Sequence, residues 1–388
     1  MQFILRHKVK FALLLIMLVV LARWLSGNQD FSYFIVAGSD HVNSSELISP
    51  IHTEEGFGYD GQFFYRYALN PFGFEKEGYG ILTDYPNYRH QRITYPFFAF
   101  LFSFGNAELV PFALVLVNVI AFALLIYLFT QFLPNEANEW LKIAPLLLSG
   151  LWMSLGRDLA EIVESMFLLL AIMAFTKRRK MQFFLFTALA LFSREPVAVI
   201  LFPISLMWSL EILKKSSKEL LNTAILFLPY LLLFIWKYFL HLQYQTPSIF
   251  EGASNIGLPF VGIYEGIYYG FHQIDSKASI LEYLIWWSFL LWNFWIIAIV
   301  IRKLELRLSS WNSRLILSYS WIIALVFFLS LSYSVYVDDW AFVRVLSSFN
   351  LFSLLILALQ PKLKISSLFW IFSGILCLST ILRLIIRI

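Results

Sequence analysis

Most of the charged side chains that border apolar sequence fall in four short stretches, and each stretch contains residue types able to move a proton or hold an anion. The first is Gly58-Tyr59-Asp60-Gly61-Gln62-Phe63-Phe64-Tyr65-Arg66, a lone carboxylate in an aromatic-rich run. A carboxylate within hydrogen-bond reach of a hydroxyl accepts its proton as a new bond forms, so Asp60 is the candidate general base. Helical spacing sets Phe63 and Phe64 one turn from Asp60, and Phe64, Tyr67 and Ala68 continue an apolar face. The pattern predicts an amphipathic helix lying on a surface with a carboxylate near its start. Asp60 also suits a plain helix N-cap, and the two roles are compatible.

The second stretch is Tyr85-Pro86-Asn87-Tyr88-Arg89-His90-Gln91-Arg92, leading into Ile93-Thr94-Tyr95-Pro96. Guanidinium forks bind phosphate oxygens bidentately, so Arg89 and Arg92 are candidate phosphate ligands. Anchoring to lipid headgroups is the plainer role for either taken alone, and His90 reads as a hydrogen-bonding partner. The third stretch, Arg157-Asp158-Leu159-Ala160-Glu161-Ile162-Val163-Glu164, spaces three acids at i, i+3 and i+6, with Arg157 four residues before Glu161. Lipid does not tolerate such a face, so it must line a polar cavity or pair with other helices. Arg194-Glu195-Pro196 is the candidate partner, with Pro196 suited to a first helical turn. The fourth is Asp338-Asp339-Trp340 with Arg344, where acids at a helix start gain from the dipole. The adjacent acids are a possible divalent-ion site, but no further ligands accompany them. No Ser/His/Asp, zinc or Walker pattern is present, and we expect neither metal nor cofactor.

The elements that must position these residues are membrane helices. Of 388 residues, 60% are hydrophobic and 14% charged, against about 25% charged in soluble domains. Apolar runs long enough to cross about 30 Å of hydrocarbon recur. Much of the aromatic content suits lipid packing and interfacial belts. The net charge of +4 is spread over short loops, which excludes a nucleic-acid surface. Cys377 is the only cysteine, so no intrachain disulfide forms. The basic start followed by Phe11 to Leu25 resembles a signal peptide but lacks a small-x-small cleavage site, which favours an uncleaved first span.

We read about 11 spans, at roughly 10–26, 109–132, 141–156, 159–176, 181–193, 196–213, 219–240, 280–301, 314–334, 341–360 and 365–387, in a single all-α polytopic domain covering 1–388. The basic clusters at Lys177–Lys180, Lys214–Lys218, Arg302–Arg314 and Lys362–Lys364 fall at alternate junctions and satisfy the positive-inside rule if all are cytoplasmic. The N-terminus is then inside, while the 27–108 loop, the 242–279 loop and all four chemical stretches are outside. The apolar run from Ile93 to Phe104 reads as re-entrant or surface-lying, since a crossing there would invert the scheme. No internal repeat is visible.

In order along the chain, Tyr59-Asp60-Gly61-Gln62-Phe63-Phe64-Tyr65-Arg66 with Asn70-Pro71-Phe72, then Tyr88-Arg89-His90-Gln91-Arg92-Ile93-Thr94-Tyr95-Pro96, Arg157-Asp158-Leu159-Ala160-Glu161 and Ser193-Arg194-Glu195-Pro196 resemble the GT-C superfamily of integral-membrane glycosyltransferases. The resemblance is nearest to bacterial GT-C-like proteins of cell-surface glycopolymer formation and more distant to the GPI-anchor mannosyltransferases. It covers about residues 55–200. It implies a polyprenyl-phosphate-linked sugar donor, a glycan or lipid acceptor, and inverting transfer at the non-cytoplasmic face of a bacterial cytoplasmic membrane, amid membrane lipids. It also implies Asp60 as base, with Arg92, Arg194, Arg344 and Arg89 holding the donor phosphate. Tyr59, Gln62, Arg66, Arg157, Asp158, Glu161, Glu195 and Asp339 would line the substrate cavity. The Asp-x-Asp common in this superfamily is missing from residues 58–62, which puts metal dependence in doubt. A glycan polymerase or ligase would share the donor and could use the 242–279 loop, with Glu251, Glu265, His272 and Asp275. A lipid-linked sugar flippase or transporter would more often carry polar groups at span midpoints.

Overall fold

The computed structural model describes residues 8–134, 139–215, 219–249, 255–272, 276–306, 312–337, 341–360 and 365–386. It is almost wholly helical, with strands confined to two two-stranded ribbons in the 27–108 region. The helices are α1 (Lys8–Ser26), α2 (Gly61–Leu69), α3 (Pro86–His90), α4 (Thr94–Phe102), α5 (Val110–Phe132), α6 (Glu139–Lys142), α7 (Ser149–Gly156), α8 (Glu161–Thr176), α9 (Lys180–Ser193) and α10 (Ala198–Lys215). They continue as α11 (Leu220–Ala224), α12 (Leu228–Tyr244), α13 (Val261–His272), α14 (Lys277–Ile301), α15 (Ser313–Leu329), α16 (Tyr333–Val337), α17 (Ala341–Val345), α18 (Ser347–Ala358) and α19 (Ser367–Ile386).

Among the described residues, five helical segments are long and apolar enough to cross a membrane: Val9–Ser26, Ala107–Phe132, Glu195–Lys214, Ser279–Ile301 and Ser367–Ile386. This fits an all-α membrane protein but corrects the expectation of about 11 spans. Three predicted spans are broken. The 141–156 run divides into α6, a 3-10 turn around Pro145 and the eight-residue α7. The 219–240 run restarts at Pro229, and 341–360 splits into α17 and α18. Others are short: α9 has 14 residues, about 21 Å as a helix. The remaining cause is burial. In α18 all twelve residues are buried, and in α8 nearly all are. Such helices are apolar because they pack inside the bundle, and hydropathy alone cannot separate that from lipid exposure. The terminal helices differ visibly. Leu368, Ile371, Ile375, Leu378 and Leu382 form an exposed stripe along one side of α19.

The core is organised around α8, which packs against α5, α7, α9 and α18, while α10 packs on α15 and α19 on α7 and α1. The 27–108 region folds onto this bundle through α2 and α4, which pack on each other and on α5. The expected surface-lying amphipathic helix is not what α2 forms. Eight of its nine residues, Gly61 to Ala68, are buried, so α2 is wedged between the loop and the bundle. The nine residues of α4 reach only about 14 Å, well short of a crossing.

Candidate active site

Three glycines fix the position of Asp60. Gly58 has φ +63, and a Cβ on Gly38 would meet the Gly58 nitrogen at 2.2 Å, so the two backbones cross with no room for side chains. A Cβ on Gly61 would meet the carbonyl oxygens of Ile35 and Arg157 at 2.4 and 2.5 Å. This contact presses the start of α2 against the α7–α8 turn. Gln62 secures the turn at Gly58 where it crosses Gly38, accepting from the Gly38 N–H at 3.0 Å and donating to the Phe57 carbonyl at 2.9 Å. Asp60 occupies the N-cap position, yet its side chain makes no capping hydrogen bond. Its carboxylate is used elsewhere.

Both oxygens of that carboxylate meet guanidiniums. Arg89 Nη1 donates to Oδ1 and Arg344 Nη2 to Oδ2, each at 2.7 Å. Arg89 is held from behind by a two-pronged pair with Asp84 at 2.8 and 2.9 Å. Arg344 also donates to Glu161 at 3.0 Å, and Arg194 pairs with Glu161 at 3.4 Å and Glu164 at 3.3 Å. Charges thus alternate from Asp84 through Arg89, Asp60, Arg344, Glu161 and Arg194 to Glu164. Beside this chain, Arg92 grips Glu195 through two bonds of 2.9 and 3.0 Å and also donates to the Tyr88 hydroxyl. Tyr59 lies between two cations, its ring 4.3 Å from the Arg157 guanidinium and 4.9 Å from that of Arg344. Burial acts to raise the Asp60 pKa, but the charges of Arg89 and Arg344 outweigh it and hold the carboxyl well below the usual carboxylate range.

These side chains border a cavity of about 420 Å³ lined by Asp60, Tyr85, Tyr88, Arg89, Arg92, Arg194, Asn255, Ser334 and Arg344, among others. One carboxylate and four guanidiniums face it, while Asp84, Glu161 and Glu164 lie behind the arginines. The lining therefore favours an anion. A second cavity of about 280 Å³ shares Tyr88, Arg92, Arg194 and Asn255 with the first and continues over Pro196, Val199, Phe327 and Leu331. A charged chamber and a largely apolar groove, whose lining also holds Glu195 and Lys237, thus meet at Arg92 and Arg194. Among the described residues no group of three or more His, Cys, Asp or Glu side chains is arranged to hold a metal ion.

The predicted site residues divide into three groups. Asp60, Arg89, Arg92, Arg194 and Arg344 line the charged cavity, and Glu195 lines the groove. Tyr59, Arg157 and Glu161 support them from behind. Gln62, Arg66 and Asp158, like Tyr59, Arg157 and Glu161, line neither cavity. Gln62 holds the turn. Arg66, fully buried, pairs with the exposed Glu75 at 3.3 Å and lies over the Tyr79 ring at 4.8 Å, because it sits six residues past Asp60 on the far side of α2. Asp158 precedes α8 with φ +50 and accepts from the Tyr95 hydroxyl at 3.4 Å, so it does not share a helical face with Glu161. Asp339 lies outside the described residues, as do Glu251 and Asp275.

Sequence reasoning passed over Tyr85, Tyr88, Asn255 and Ser334. Asn255 reaches the cavity because its segment is stitched to the end of α15: Ser332 N–H donates to the Asn255 carbonyl at 2.9 Å, and Gly257 N–H to that of Ser330 at 2.7 Å. No local signal announces that pairing. Tyr85 and Tyr88 stood within a motif already singled out for its arginines.

Fold and site together define an all-α membrane-type chain with an arginine-rich chamber. No family model matches it, and neither a curated protein nor a solved structure does.

Proposed function

We propose that this chain is a membrane glycosyltransferase that moves a sugar from a polyprenyl-phosphate-linked donor to a glycan or lipid acceptor, with inversion. In this reading the whole chain forms one GT-C-like domain, its N-terminus is cytoplasmic, and the chamber opens on the non-cytoplasmic side of a bacterial cytoplasmic membrane. The observation that carries the reading is the junction of the two cavities. A lipid phosphate needs cationic donors at one end and an apolar channel at the other, and Arg92 and Arg194 stand where the two meet.

The chemistry follows from the lining. The acceptor hydroxyl oxygen attacks the anomeric carbon and forms the new glycosidic bond. The bond from that carbon to the phosphate oxygen breaks, and its electron pair leaves with the polyprenyl phosphate. The hydroxyl proton passes to an Asp60 oxygen. Negative charge grows on the departing phosphate, where fixed guanidiniums stabilise it without reorganising. Arg92, Arg194, Arg344 and Arg89 take that role, and metal-independent transfer is our expectation.

The test is a cryo-EM map of the protein in nanodiscs with a polyprenyl-phosphate hexose added. We expect phosphate density among Arg92, Arg194 and Arg344, with the isoprenoid running along Val199 and Phe327. Density confined to the outer lipid annulus, with the chamber empty, overturns the reading.

A further inference from the structure

The proposed base and the proposed phosphate ligands are already bound to one another. Asp60 Oδ1 and Oδ2 are each taken by a guanidinium at 2.7 Å, and both of those arginines face the cavity. A carboxylate in that clamp has little affinity for a proton, because protonation would forfeit two charge-assisted bonds. The arginines are less committed to Asp60 than it is to them. Arg89 keeps both of its bonds to Asp84 if Oδ1 departs. Arg344 keeps Glu161 and the face of Tyr59 if Oδ2 departs. Each guanidinium is thus held in place by a second partner, and Asp60 is the exchangeable one.

We propose that the donor's phosphate displaces Asp60 from Arg89 and Arg344, so that the carboxylate becomes a working base only once the donor is bound and the acceptor is used second. The proposal rests on the transferase reading above and deepens it. The exchange conserves charge pairing: two guanidinium–carboxylate bonds become guanidinium–phosphate bonds in the same geometry. Asp60 is freed with both oxygens facing the chamber, and its proton affinity rises toward that of an ordinary carboxylate as its cations are shared with the phosphate. Asp60 and the donor phosphate are thus alternative partners of Arg89 and Arg344.

The experiment measures binding of farnesyl phosphate, which carries no sugar, to the protein in nanodiscs. If Asp60 competes for the arginines, Asp60→Asn binds farnesyl phosphate more tightly than wild type, by about tenfold or more. The gain should vanish when Arg89 and Arg344 are both changed to Gln. Equal or weaker binding by Asp60→Asn overturns the exchange while leaving the transferase reading standing. A gain that persists without the two arginines also overturns it, since mere loss of repulsion would then be the cause. If farnesyl phosphate binds neither protein, the lipid-phosphate reading itself fails and takes the exchange with it. Should Asp60→Asn not fold, the wild-type cryo-EM map with farnesyl phosphate decides. Separation of Asp60 and Arg344 beyond hydrogen-bond range is expected, and an intact 2.7 Å contact beside bound phosphate overturns the proposal.

Discussion

Asp60 and Arg344 lie 284 residues apart in the chain and meet at 2.7 Å. The contact joins the first long loop to α17, near the other end of the sequence, and it needs close backbone packing on both sides. Gly61 brings Asp60 against the α7–α8 turn. Gly150 on α7 does the same for Arg344, since a Cβ there would meet the Val343 carbonyl at 2.3 Å and the Ser347 hydroxyl at 2.1 Å. The α7 region is therefore the common support of both partners, although it carries no charged side chain into the cavity.

On the transferase reading proposed above, Asp60→Asn should lower sugar transfer by about 10²–10⁴-fold, the range for loss of a positioned base. The same variant reports on acid stability. The folded carboxyl titrates below its ordinary value of 3.8. The stabilisation from its two ion pairs is thus fully present above that pH and is lost as pH falls further. We expect the wild-type Tm to drop below pH 3.8 and the Asp60→Asn protein to show a shallower drop. Parallel pH curves would mean that Asp60 adds nothing to folding.

Gly61→Ala should destabilise the protein and displace Asp60. The clash is with two backbone carbonyls, at 2.4 and 2.5 Å, so no side-chain rotation relieves it, and overpacking of this kind costs about 1–3 kcal/mol. A melting curve that overlays wild type would show that the α2 start is looser than described. Gly257→Ala is the control for generic glycine loss on an exposed loop, since its φ lies outside the left-handed region and its Cβ would meet nothing within 4 Å.

His90 gives a pH dependence in a different window. Pro71 offers only a carbonyl, so Nε2 carries the proton and donates to it at 2.8 Å, and Nδ1 accepts from the Tyr244 hydroxyl at 2.8 Å. The ring stacks on Tyr67, with centroids 4.1 Å apart. Burial, helped by the charge of Arg66, pushes His90 down to about 4 from 6.5. A depressed folded pKa contributes stability that is present above 6.5 and lost as pH falls from 6.5 toward 4. The wild-type Tm should fall across that window, and His90→Gln should remove the fall while lowering Tm at pH 7. An unchanged slope in the variant would assign the effect to another group.

The sequence displayed the cluster's parts better than its arrangement. Asp60, Arg89, Arg92, Arg194 and Arg344 were legible because ionised groups beside apolar runs are rare enough to stand out. Their pairing was not, since it is fixed by contacts such as Gly61 on the Arg157 carbonyl, which leave no local pattern. The surroundings of Arg66 and Asp158 were hidden for related reasons. The direction a side chain takes on a fully buried helix such as α2, or at a positive-φ residue before α8, does not follow from a one-faced helical wheel. The span count went wrong where α8 and α18, largely apolar and buried inside the bundle, resembled lipid-crossing segments.

Arg92 and Arg66 separate a cavity-facing arginine from a structural one. Both are buried, at 3% and 0% exposure, and composition cannot tell them apart. Arg92 faces the junction of the two cavities with its guanidinium oriented by Glu195 and Tyr88. Arg66 is turned toward Tyr79 and Glu75. Arg92→Met should weaken farnesyl phosphate binding by about tenfold or more, the worth of a charge-assisted hydrogen bond. Arg92→Lys should recover only part of it, because an ammonium lacks the planar fork that grips Glu195. Arg66→Met should leave the affinity unchanged and keep Tm at or above wild type, since its partner Glu75 is 70% exposed and is not left as an unpaired buried charge. Weaker phosphate binding in Arg66→Met, or unaltered binding in Arg92→Met, would reverse the assignment of the two and move the ligand to the other side of α2.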